Sequence, residues 1–254
     1  MEKGPRLRTI ITMPAYKASR TLEKTVHEVP EGCYDEILVV DDASPDDTVK
    51  VAKALGLATK QHPENRGYGG NQKTCYDWAL EKRADVVVLL HPDYQYAPHL
   101  VPELIAPILA GEADFTFGSR FANGGRPMDG GMPLYRYIGN RLTTGIENYF
   151  LGTHFSELHS GMKAYSRNFL ELIGYHQFSD HFVFDSEMVI QAVLLGFRIE
   201  EVPIPTRYAP DSSSVSIVSS IRYITETLGA LHRSLRDRER LERELTERSD
   251  ALGL

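Results

Sequence analysis

The stretch from Asp85 to Gln95 constrains this chain more than any other. Five apolar residues in succession, Val86 to Leu90, stop abruptly at His91, Pro92, Asp93, Tyr94 and Gln95. A short apolar run bounded by polar residues predicts a strand buried on both faces, as in a parallel sheet. Alternate side chains of an extended chain project to one side, so His91, Asp93 and Gln95 are expected to converge past the strand's carboxyl end. Ligands bind at that end in open α/β sheets. One nitrogen and two oxygen donors suit a Mn²⁺ or Mg²⁺ ion that also grips a diphosphate. The competing reading of this triplet alone is a solvated, polar strand end.

The flanking sequence supplies the sheet that such a strand needs. Thr9 to Met13 and Ile37 to Val40 read as strands, with a short one near Leu57 to Lys60. One helix is expected behind Ser19 or Thr21, with Leu22 and Val26 inward. Another should enter through Ser44-Pro45 and end near Leu55. Strands alternating with helices predict a doubly wound, mostly parallel α/β sheet. Asp41 and Asp42 fall at a strand end, where a carboxylate can accept from a ribose hydroxyl or a base N–H. Helix capping is the alternative for both, and it is the preferred reading of Asp46 and Asp47. From Asn65 to Thr74 the glycines, Gly67 and Gly70 among them, would let backbone approach a ligand closely. Lys73 is expected in the first turn of the next helix, where anions bind. The loop is neither G-x-G-x-x-G nor a Walker loop, which argues against a dinucleotide cofactor and against an ATPase.

Composition excludes some partners. A net charge of −7 over 254 residues argues against nucleic acid, because phosphate binding needs a basic face. Cys33 and Cys75 show neither metal spacing nor a disulfide framework, which fits a reducing, cytoplasmic setting. No apolar run approaches the roughly 20 residues needed to span a bilayer. A peripheral contact with the inner membrane face is the most that is expected.

Several short motifs then coincide. Pro14-Ala15-Tyr16, Val40-Asp41-Asp42-Ala43-Ser44, Asn65-x-Gly67 and the strand ending in His91-Pro92-Asp93 resemble the family 2 glycosyltransferases. Gly118-Ser119-Arg120, His159-Ser160-Gly161-Met162-Lys163 and Glu201-Val202-Pro203 narrow the resemblance to the polyprenyl- and dolichyl-phosphate mannosyl- and glucosyltransferase branch. It extends over roughly residues 8–210. The resemblance implies a GT-A fold, a nucleotide-diphosphate sugar donor of the GDP-mannose or UDP-glucose type, and a divalent metal. It also implies that Pro14, Ala15, Tyr16, Asp41, Asp42 and Pro92 lie against the nucleotide, with Arg207 near the diphosphate. In that branch Arg120 and Arg136 would meet an acceptor phosphate, and Arg126 is a further candidate. Asp185 falls where inverting enzymes of this fold can carry a general base. The departure is His91, which stands where the family usually has the first acid of Asp-x-Asp.

These readings give one GT-A domain over 1–215, followed by a helix over 216–254. Ile221, Ile224, Leu228, Leu231 and Leu235 are spaced 3-4-3-4, a heptad seam. The seam fits docking on the chain's own domain, a homodimer, or a membrane-surface helix. The function expected is metal-dependent transfer of one sugar, with inversion, to a polyprenyl-phosphate-like acceptor. An alternative is transfer to a small soluble hydroxyl acceptor with Asp185 as base. A rival of another class, favoured by His91 alone, is a non-catalytic subunit that binds nucleotide sugar or a partner.

Overall fold

The computed structural model describes residues 6–205 and 217–254. Its sheet contains β1 (Thr9–Ala15), β2 (Glu36–Asp41), β3 (Ala58–Gln61), β4 (Val86–Leu89), β5 (Phe115–Ser119), β6 (Lys163–Ser166) and β7 (Ile199–Pro203). The spatial order is β3-β2-β1-β4-β6-β5-β7. Pairing is parallel except around β6, which runs antiparallel to both β4 and β5. The strand carrying Pro203 lies at a sheet edge, where a missing ladder donor is tolerated.

The helices are α1 (Leu22–His27), α2 (Thr48–Ala54), α3 (Tyr68–Glu81), α4 (Val101–Leu109), α5 (Leu134–Leu151), α6 (Arg167–Leu172), α7 (Phe184–Leu194), α8 (Ile217–Arg236) and α9 (Arg238–Leu252). Strand periodicity divides the core between the two faces of the sheet. Ile10, Leu38, Val40, Val87 and Leu89 point toward Tyr76, Phe169 and Met188 of α3, α6 and α7. Ile11, Met13, Val39, Val86 and Val88 point toward Leu22, Ala52, Leu104 and Ile105 of α1, α2 and α4. Both faces of β4 are therefore buried, as its unbroken apolar run requires.

Two local expectations are corrected. Ser44 does not cap α2. Its hydroxyl accepts from the Lys17 N–H at 2.9 Å, while Asp46 accepts from the Thr48 N–H at 3.2 Å and from its hydroxyl at 2.6 Å. The C-terminal segment is two helices, not one, broken at Asp237. Ala230 and Leu231 of α8 pack on Val183, Ile190 and Leu194 of α7, with Leu235 alongside. Leu241 of α9 is buried, and Arg248 donates to the Leu172 carbonyl at 2.9 Å. Leu231 and Leu235 of the seam thus dock within the chain, while Ile221 stays 59% exposed. Among the described residues no helix is long and apolar enough to cross a membrane.

Candidate active site

A cleft of about 1060 Å³ opens at the carboxyl ends of β1, β4 and β5. Each strand hands its next residues to the cleft wall: Tyr16 after β1, His91 after β4, Arg120 after β5. β6 enters from the opposite direction, so the residues preceding it, His159 and Gly161, reach the same wall. Helices contribute Arg136 from α5, Asp185 from the first turn of α7, and Tyr223 from α8. Such a volume suits a nucleotide sugar.

His91, Asp93 and Gln95 all line the cleft, though not by the extended geometry expected of them. Strand pairing ends at Leu89, and Tyr94 takes a left-handed conformation with φ of +62°. The chain turns, and the Gln95 N–H donates to the Asp93 carboxylate at 3.1 Å. Among the described residues no three His, Cys, Asp or Glu side chains converge to hold a metal unaided. One imidazole, one carboxylate and one amide oxygen do fit a divalent cation that draws its remaining ligands from a diphosphate and water. Burial pushes the His91 pKa below 6.5, seconded by Lys163 and opposed by Asp93 and Asp185. A neutral imidazole keeps a lone pair for a metal.

Asp185 is held from three sides. Tyr68 donates its phenol proton to Oδ2 at 2.7 Å, Gln72 donates to Oδ1 at 3.2 Å, and Lys163 Nζ lies 2.8 Å from Oδ1. Lys163 has no solvent exposure, and desolvation lowers its pKa against the pull of Asp185. Burial raises the Tyr68 pKa well above 10, with the Asp185 charge adding to it, so the phenol stays protonated. The same hydroxyl stands 3.0 Å from His91 Nε2.

Arg120 is anchored beneath the cleft wall. Its Nε donates to Glu157 Oε1 at 2.8 Å, its backbone N–H donates to Oε2 at 2.8 Å, and Nη2 also meets Oε1. Glu157 is fully buried and takes a further bond from Asn140 at 2.8 Å. Arg136 lies on the more open α5 side, beside the Tyr135 ring. Arg126 does not line the cleft, and Arg207 lies outside the described residues.

Pro14, Tyr16 and Pro92 line the cleft, whereas Ala15 is buried beneath it. Asp41 and Asp42 are buried at the end of β2. Asp42 organises the next loop, accepting from Arg66 N–H at 2.8 Å, Gly67 N–H at 3.1 Å and the His62 ring at 2.8 Å. Asp41 Oδ2 accepts from Ser44 N–H at 3.0 Å, and its Oδ1 has no partner among the described residues. Gly67, Gly70 and Lys73 sit away from the cleft. A Cβ on Gly67 would stand 2.6 Å from the Asp180 carbonyl oxygen, so this glycine admits protein backbone rather than a ligand. Lys73 falls in the second turn of α3, where its ammonium meets Asp180 at 2.8 Å and the Phe178 carbonyl.

Sequence reading missed Tyr68, Lys163, His159 and Tyr223. His159 bridges Tyr223, at 2.8 Å from its Nδ1, and the fully buried Glu147, at 3.0 Å from its Nε2. Tyr223 continues to Ser186 at 2.7 Å, tying α8 to α7. Lys163 and His159 stand in a noted motif, which was their only signal.

The model of glycosyl transferase family 2 matches residues 10–174. A UDP-N-acetylglucosamine–dolichyl-phosphate N-acetylglucosaminyltransferase of Methanococcus voltae is 30% identical over 216 residues, covering 78% of this chain and 85% of the relative. A polyprenol monophosphomannose synthase of Mycolicibacterium smegmatis is 31% identical over 208 residues, covering 79% and 77%. The crystal structure of glucosyl-3-phosphoglycerate synthase from Mycobacterium tuberculosis with Mn²⁺, UDP-glucose and phosphoglyceric acid superposes with a TM-score of 0.68. It is 21% identical, and the match covers 89% of this chain and 80% of that one. The likeness establishes the fold, which is the expected GT-A arrangement.

Proposed function

Because the chain belongs to glycosyl transferase family 2 and is a glycosyltransferase, we propose that it moves one sugar, with inversion, from a nucleotide-diphosphate sugar to a polyprenyl-phosphate-like acceptor. One observation carries this reading. Arg120 and Arg136 line the same cleft as the His91-Asp93-Gln95 turn, so two cationic side chains and the proposed metal-holding turn share one space. The sequence relatives support it, since the names of both join a sugar to a dolichyl or polyprenol phosphate although the sugars differ. Accordingly the donor is proposed only as GDP-mannose or UDP-hexose in type, and the enzyme as peripheral at the inner membrane face.

Arg120 is oriented in advance by Glu157, so little side-chain freedom is lost when it meets an anion. Arg136 adds a second cation from α5. A phosphate oxygen attacks already charged and needs no base. That suits Asp185, whose carboxylate is occupied by Tyr68, Gln72 and Lys163. A divalent cation held by His91, Asp93 and Gln95 would, when bound, supply neutralisation of the leaving diphosphate. Tyr16 and Pro14, at the end of β1, would bound the nucleotide side of the cleft.

A panel of UDP- and GDP-sugars in a thermal-shift assay, with and without Mn²⁺, tests donor and metal together, since a ligand of the native state raises its melting temperature. Donor consumption is then compared with a polyprenyl phosphate and with a soluble hydroxyl acceptor. Consumption only with the hydroxyl acceptor would move the enzyme to the other acceptor class. Binding of a nucleotide sugar without its consumption with either acceptor would favour a non-catalytic subunit.

A further inference from the structure

We propose that Tyr68, held by Asp185, fixes the tautomer of His91 and thereby makes Nδ1 the metal-binding nitrogen. The inference rests on the reading of His91 as a metal ligand. A phenol has one proton to give. Tyr68 stands 2.7 Å from Asp185 Oδ2 and 3.0 Å from His91 Nε2, and cannot donate to both. The Asp185 carboxylate is already the acceptor for Gln72 at 3.2 Å and the partner of the Lys163 ammonium at 2.8 Å. Gln72 donates to Oδ1 and the Lys163 cation faces the same oxygen, so Oδ2 is left to accept the Tyr68 proton. The phenol oxygen then turns a lone pair to His91, and Nε2 must carry the hydrogen. In the neutral ring the free lone pair is left on Nδ1.

Packing fixes the ring plane as well. The Tyr68 ring stacks on the imidazole with 13° between planes and 5.3 Å between centroids. On another side lies Gly161, where a Cβ would stand 3.0 Å from His91 Cδ2 and 3.1 Å from Nε2. An aspartate at this position would need none of this, because both its oxygens can ligate. A histidine works only with the correct nitrogen bare, and ligating histidines are ordinarily set by the bond at the other nitrogen. Asp185 is thus a positioning residue, acting on His91 through Tyr68.

The test reads the tautomer directly. Full-length, metal-free protein with ¹⁵N-labelled histidine is examined by long-range ¹H–¹⁵N correlation, with His91→Gln identifying the signal. The expected pattern is a protonated Nε2 and a bare Nδ1 in the wild type. Tyr68→Phe, which removes one oxygen, should mix the tautomers and weaken Mn²⁺ binding about tenfold to a hundredfold, measured by electron paramagnetic resonance with Mn²⁺ alone and with UDP or GDP. A wild-type ring protonated at Nδ1, or a tautomer unmoved by Tyr68→Phe, would overturn the proposal. Absence of Mn²⁺ uptake by a wild type with the expected tautomer would overturn the metal reading of His91 and the ligand role of Nδ1. The two failures separate because the tautomer is read without metal.

Discussion

The ammonium of Lys163 lies 2.8 Å from the Asp185 carboxylate, joining the first residue of β6 to the first turn of α7 beneath the cleft. Desolvation lowers the Lys163 pKa from 10.5, and Asp185 opposes that shift. With the folded pKa below the unfolded one, charge on Lys163 costs stability below the folded pKa. That cost is relieved as pH rises through the folded pKa toward 10.5.

Asp185→Asn therefore strands a buried cation. Denaturant unfolding near neutral pH should show a loss of about 3 kcal/mol. Part of it should return near pH 10, and Lys163→Met in the same chain should abolish that pH dependence. A variant as stable as the wild type at neutral pH would contradict the pairing.

Asp93→Ala should abolish Mn²⁺-dependent nucleotide-sugar binding while leaving the fold of the apo protein intact. Gln95→Ala should weaken it less, since a neutral amide is the weakest of the three donors. Calorimetric titration with and without Mn²⁺ decides, and undiminished binding in the Asp93 variant removes it from the site.

Arg136→Ala should lower transfer to a polyprenyl phosphate about tenfold to a hundredfold, the worth of a hydrogen bond to a charged group, with nucleotide binding kept. Arg120→Ala should lose transfer and also about 3–5 kcal/mol of stability, because Glu157 is left buried without its cation. Adding Glu157→Gln to that variant should restore stability but not turnover. Recovery of both would assign Arg120 a purely structural role.

Removing the chain from 217 onward uncovers Val183, Ile190 and Leu194, which Ala230 and Leu231 cover. The expected result is a lower melting temperature, with monomer mass by light scattering for the full chain. A full-length dimer that truncation converts to monomer would instead assign the seam to self-association.

Local pattern determined much of this protein. The run Val86 to Leu90 specified a strand buried on both faces, because only such a strand tolerates apolar residues without alternation. The order of strands, helices and motifs carried the fold and the family. It also brought His91, Asp93, Gln95, Arg120, Arg136 and Asp185 to one cleft wall, although the extended geometry first assigned to the triplet gives way to a turn. The antiparallel β6 was beyond that kind of reading. Side-chain alternation reports the buried face of a strand and not its direction, which is set by the partners on either side. Lys73 shows the same limit, since a sequence position suited to anion binding is diverted by Asp180, 107 residues away. Tyr68 and Asp185 are 117 residues apart, and no periodicity links them. Periodicity encodes which face of an element is buried. Which charges and hydroxyls meet once those faces close depends on loop conformation and packing, and only the tertiary structure decided that.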